Sequence, residues 1–103
     1  MRVNDIEVYV KGANMVPIDY YPDRMKSREE LKWLLHSAKE ANYNMLRIWG
    51  GGMYLTDDFY ELADEMGMLV WHDTSFSCKF YPMRDQAYID NARMEVREQV
   101  GRL

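Results

Sequence analysis

Cysteine is nearly absent. Cys78 is the only one, so no internal disulfide can form and the redox compartment is left open. Long apolar runs are missing too, and none approaches the roughly 18 residues of a membrane-spanning helix. The first ten residues, "MRVNDIEVYV", lack the uninterrupted apolar stretch of a signal peptide. No compartment can be read from the chain, and no membrane partner is expected. The 13 basic residues are scattered among 17 acidic ones, for a net charge of -4. Nucleic acid would want a clustered basic face, so it is not an expected partner. Linkers, internal repeats and low-complexity segments are all lacking, and residues 1–103 read as a single piece. What is present is a globular balance of 48% hydrophobic and 29% charged residues, enough for one small core. Aromatic residues reach 14%, which suits a core and also suits a sugar-binding cleft.

Ile6, Val8 and Val10 alternate with Glu7, Tyr9 and Lys11, the period of a half-buried strand. That strand is expected to continue through "GANMV". A long loop, "IDYYPDRM", follows, broken by Pro17 and Pro22. Ser27 to Glu30 spells a capping box, and Leu31, Leu34, Leu35, Ala38 and Ala41 hold one face of a helix ending near Asn42. Met45 to Trp49 reads as a second strand. Thr56, Asp57 and Asp58 start a second helix, with Phe59, Leu62, Ala63 and Met66 as its stripe and Gly67 just past its end. "MLVW" is a third strand. A loop from Asp73 to about Arg84 precedes a third helix carrying Ile89, Ala92, Val96 and Leu103 on one face. The order βαβαβα predicts an α/β fold with a parallel sheet.

Ligands of parallel α/β folds sit at the C-terminal ends of the strands. "GAN", "RIWGGG" and "WHD" all fall there. Gly50, Gly51 and Gly52 allow three readings: a phosphate cradle, a turn needing positive φ, or backbone cleared for a ligand beside Trp49. The spacing is neither G-x-G-x-x-G nor that of a P-loop. Arg47, in the middle of a core strand, must find a carboxylate or a ligand unless it snorkels from the strand end. Asp73 either caps a loop or points into a cleft to bind hydroxyls. His72, Asp73 and Cys78 fit no zinc spacing, so no metal and no cofactor is expected. His36 falls on the polar face of the first helix and Cys78 has no base beside it. The nine methionines match core positions. "TDD" and "ELADE" read as a helix start and a solvated helix face.

The segments "KGANMVPID", "EANYNMLRIWGGGMY", "DDFYELADEMGMLVWHD" and "FYP" together resemble glycoside hydrolase family 2, most closely its β-mannosidase branch. They cover nearly the whole chain in order. The resemblance implies the first three βα units of a TIM (β/α)8 barrel, a fold that takes about 250 residues when complete. It implies that Arg47 sits inside the barrel near the catalytic nucleophile, which would supply its carboxylate. Trp49 would wall the sugar subsite and Asp73 would line it, with Asn14 and His72 counted among the substrate-binding residues. Gly50, Gly51 and Gly52 would leave room for the pyranose. The family's retaining chemistry uses two glutamates about 5–5.5 Å apart. Both are expected beyond Leu103, so no catalytic residue is assigned to this chain. Three departures cluster around the subsite: His72 for the family's usual Gln, Thr74-Ser75 for its Phe-Met, and Met15 where an aromatic is common. They bear on the choice of sugar.

The implied function is a fragment of a retaining exo-acting glycosidase, inactive alone, that contributes subsite residues. The implied partners are a β-linked mannoside or related glycoside and the remainder of the barrel. Self-association through open sheet edges is a further expectation. The alternatives are a stand-alone βα carbohydrate-binding module and a truncated product without function.

Overall fold

The first part of the stretch expected to open the sheet forms a hairpin instead, while its continuation, "GANM", joins the sheet as expected. In the computed structural model, which describes residues 1–16, 18, 19, 21, 24 and 27–103, strands β1 (Arg2–Val3) and β2 (Ile6–Glu7) pair antiparallel. Pro17 and Pro22 of the expected loop lie outside the described residues. Asn4 and Asp5 turn the hairpin at φ 49° and 64°, the doubly left-handed geometry that suits two-residue hairpin loops. The alternation of Ile6, Val8 and Val10 therefore does not mark a half-buried strand of the main sheet. Ile6 is 69% exposed. A ribbon of two short strands has no second layer to cover either face.

The main sheet is parallel and three-stranded, in the order β3 (Gly12–Met15), β4 (Met45–Ile48), β5 (Leu69–His72). Helix α1 (Arg28–Glu40) links β3 to β4, and α2 (Asp57–Glu65) links β4 to β5. Helix α3 (Gln86–Arg102) follows the last strand. The expected α/β alternation is present. Among the described residues, β3 and β5 are the two edges of this sheet.

Period-two alternation sorts the strands' side chains onto two faces. Leu46 and Ile48 point toward the helices and join Leu31, Leu35, Leu55, Phe59, Leu62, Ala63 and Met68 in one core. Arg47 takes the opposite face by the same period. The Ser27 capping box forms as expected: the Ser27 N–H donates to Glu30 at 2.9 Å, and Oγ accepts from the Glu30 N–H. Asn42, at φ 63°, and Gly67, at the same angle, let the chain leave α1 and α2. Thr56 stands at the start of α2 but makes no side-chain cap. The acidic first turn is taken up from elsewhere, Asp58 by Arg28 and Asp57 by Arg102, each at 2.6 Å. Arg28 also reaches Glu61 and Glu65, so it lines up three carboxylates of α2 from the start of α1.

Helix α3 is tied at its C-terminal end by Arg102 and midway by Tyr54, whose hydroxyl donates to Glu95 at 3.2 Å. Arg102 donates to Asp57 and to the Leu55 carbonyl, and its guanidinium lies 5.3 Å from the Tyr60 ring centre. The expected stripe of Ile89, Ala92 and Val96 is only partly covered, and with Phe76 and Met83 it lines an open groove of about 450 Å³. Among the described residues, no helix is long and apolar enough to cross a membrane.

Candidate functional site

The parallel register places Asn14, Arg47 and Trp71 side by side on β3, β4 and β5, on the face away from the helices. Two residues beyond Trp71, and so on the same face, stands Asp73. Arg47 donates through Nε to Asp73 Oδ1 at 3.1 Å and through Nη2 to Oδ2 at 2.5 Å. This is a two-pronged ion pair, the geometry in which a guanidinium holds a carboxylate best. Nη1 donates to Asn14 Oδ1 at 3.0 Å, joining all three strands through one side chain. The Gly50 N–H adds a fourth bond to Asp73 Oδ2 at 3.3 Å. Arg47 thus finds its carboxylate within this chain. The resemblance had pointed to the nucleophile for that role; the partner present is Asp73.

Asp73 is the less exposed member, at 21% of its side chain against 39% for Arg47. Partial burial by itself pushes its carboxyl upward. The hydrogen bonds from Arg47 and the Gly50 N–H, with the charge of Arg47, outweigh that push and hold the group below the ordinary aspartate value. Three of the five guanidinium N–H groups are engaged, and the other two have no partner among the described residues. Arg47 itself borders two hollows on this face of the sheet.

Trp49 follows β4, anchored by its N–H to the Met15 carbonyl at 3.1 Å. With Asn14, Val16 and Arg47 it lines a hollow of about 320 Å³. A second hollow, about 290 Å³, lies further down the same face between Val10, Gly12, Asn14, Met45, Arg47 and Trp71. Trp71, 60% exposed, was not singled out from the sequence. Its signal was available, since it stands two residues before Asp73 and a strand repeats its faces every second residue. Hydrogen-bonding groups beside indole rings suit a ligand with hydroxyls on one face and C–H groups on the other.

Against proteins of known identity, no family model matches the chain. Over 102 residues, 99% of its length, it is 45% identical to a β-mannosidase of Capra hircus and 43% identical to β-mannosidase A of Aspergillus terreus. The crystal structure of a β-D-mannosidase from Dictyoglomus thermophilum superposes on 89% of it with a TM-score of 0.83 and 48% identity. The chain is β-mannosidase-like. It spans 11% of the length of each of these relatives.

Within this β-mannosidase-like chain, Asn14, Arg47, Trp49 and Asp73 come together and His72 does not. His72 belongs to the helix-facing side of β5, where it stacks on Tyr54 with ring centres 5.2 Å apart. It has no route to the face that holds Arg47, because neighbouring residues of a strand point oppositely.

The three glycines resolve differently from the turn reading. None of them has positive φ; among the glycines only Gly67 does. Gly50 is pressed against the chain leaving β5, and a Cβ there would run into the Thr74 and Phe76 carbonyl oxygens. A Cβ on Gly51 would run into the indole of Trp49. The space cleared at Gly51 is filled by the tryptophan itself.

Cys78 is exposed, and His36 is exposed on α1. Among the described residues, no three His, Cys, Asp or Glu side chains converge as a metal site would need. Nor does any of the eight glutamates stand on β3, β4 or β5.

Proposed function

We propose that this chain supplies the first three βα units of a (β/α)8 barrel of glycoside hydrolase family 2, in a retaining, exo-acting β-mannosidase. In this reading Asn14, Arg47, Trp49 and Asp73 form part of the sugar subsite, and the catalytic glutamates belong to other parts of the barrel. The observation that carries it is the convergence of these four side chains at the C-terminal ends of adjacent parallel strands, where barrels place their substrates. The hydroxyls of a β-linked mannoside would take the spare guanidinium N–H groups and the Asn14 amide. Trp49 would meet the apolar face of the ring.

Hydrolysis needs a general acid, whose removal typically costs about 10²–10⁴ in rate, and a nucleophile. The expected outcome is that the purified chain turns over no aryl β-mannoside above a buffer blank, while mannose at millimolar concentration shifts the Trp49 indole and Arg47 Nε–H resonances. Trp49→Ala should abolish those shifts. Turnover by the chain itself would overturn the assignment of the glutamates elsewhere. Mannose shifts that survive Trp49→Ala would overturn the subsite.

One observation favours a second reading, a stand-alone carbohydrate-binding module. The charge of Arg47 is met within this chain, by Asp73 with Asn14 alongside, and needs no carboxylate from elsewhere in a barrel. Both readings expect the chain to bind mannose, so the module is favoured only if supplying the rest of the barrel leaves that affinity unchanged; a part-built subsite would bind more tightly once completed.

A further inference from the structure

We infer that His72 is a positioning residue for Asp73, acting from the opposite face of the sheet through the Asp73 main-chain carbonyl. His72 Nδ1 lies 2.7 Å from that oxygen. A carbonyl can only accept, so the proton belongs on Nδ1; a bare Nδ1 would set two lone pairs against each other. Nε2 is buried and has no partner among the described residues. With the proton on Nδ1 it is an unpaired acceptor. With the proton on Nε2 the site would hold an orphan buried donor as well as the lone-pair clash. The Nδ1–H tautomer is the arrangement with the single fault.

The ring is kept in place by its neighbours. Tyr54 stacks on it at 23° between planes, and Tyr60 lies 6.0 Å away at 35°. The backbone of Asp73 is therefore gripped on both sides: its N–H donates to the Ile48 carbonyl at 3.0 Å and its carbonyl accepts from His72. Between these two grips the side chain emerges toward Arg47 and the Gly50 N–H. The chain just beyond it has little freedom, since the Thr74 carbonyl is packed against Gly50. Loss of the His72 donor frees the Asp73 carbonyl to rotate and carries the carboxylate out of line with the guanidinium fork. His72 thus acts on the pair without touching a ligand. The inference deepens the subsite reading and rests on it only for what the pair would bind, not for the geometry.

The first test is a long-range ¹H–¹⁵N correlation spectrum of the unmodified chain. A protonated-type Nδ1 with a bare-type Nε2 is expected, and the reverse assignment would overturn the inference. The second is His72→Phe, which keeps a ring between Tyr54 and Tyr60 but removes the donor. In the folded variant, Asp73 should titrate at higher pH than in the parent chain, and the Arg47 Nε–H should exchange faster with water. A residue that merely fills space would move neither, and one acting only through its charge on Asp73 would move the titration but leave the Arg47 exchange alone. Unchanged Arg47 exchange in a folded His72→Phe chain would sink the proposal, whatever the Asp73 titration does. Should that variant fail to fold, the tautomer of the unmodified chain decides alone. No readout uses sugar, so a failed mannose titration leaves this result standing, and the converse also holds.

Discussion

At the residue scale, the Arg47–Asp73 pair is the feature on which most depends. An arginine at the centre of a four-residue strand is costly unless its charge is met, and here one carboxylate meets it with two oxygens. The pH consequence follows from the depressed Asp73 carboxyl. Unfolded, the group titrates near an ordinary aspartate value of about 3.9. Folded, it titrates lower, so the unfolded chain binds the extra proton first as pH falls. Its contribution to stability is then complete above the unfolded value and disappears as pH drops through the folded one. In Arg47→Ala the burial of Asp73 is no longer opposed by the guanidinium, so its titration should move upward. Carboxyl ¹³C shifts followed against pH would check this, and an unmoved midpoint would show that the pair is not what holds Asp73 down.

At the element scale, the two kinds of glycine separate cleanly. Gly67 ends α2 at φ 63° with open space where a Cβ would stand, so Gly67→Ala bears only the conformational cost. That cost is about 1–2 kcal/mol for a left-handed residue, and each kcal/mol lowers the melting midpoint of a domain this size by about 4–8 °C. The Arg47 Nε–H resonance should stay where it is. Gly50→Ala is different in kind, because the new Cβ collides with the carbonyls of Thr74 and Phe76 and must push the Asp73 loop away. It should displace the Arg47 Nε–H resonance in addition to any loss of stability. Thermal melts read beside one two-dimensional spectrum per variant would test both. Equal displacement of Arg47 in the two variants would contradict this division. The capping box of α1 and the C-terminal Gly67 were legible because capping is written in a few adjacent residues. The hairpin was not. Its alternation has the period of a half-buried strand, and only the absence of a second layer leaves both faces open.

At the scale of the whole molecule, several surfaces are left uncovered. Both sheet edges are open among the described residues, and the α3 groove exposes Met83 while only partly covering Ile89 and Val96. Unpaired strand edges beside apolar surface invite association between chains. Sedimentation velocity should show a weight-average coefficient that rises with concentration. Ile89→Lys with Val96→Lys should reduce that rise, since a charged groove is costly to bury. A single monomer boundary across the accessible range would rule the association out.

Legible in the amino-acid sequence were the βαβαβα order from Gly12 onward, the α1 capping box, the glycine that ends α2, the parallel sheet and the strand-end segments where a site would form, because each of these follows from periodicity and local chemistry. It also placed Arg47 where burial demands a countercharge. What it left open was which groups share a face and which partner answers that charge. Those depend on register, which set Asn14, Arg47 and Trp71 in one row and brought Asp73 across to the arginine. Register likewise turned His72 to the helix side, one residue and one face away from the aspartate beside it. The contacts made by Gly50 and Gly51 were equally out of reach of the sequence, since their neighbours are 23 or more residues away along the chain in one case and a folded-back tryptophan ring in the other. Tertiary packing decided these, because a strand's two faces differ only once something covers one of them.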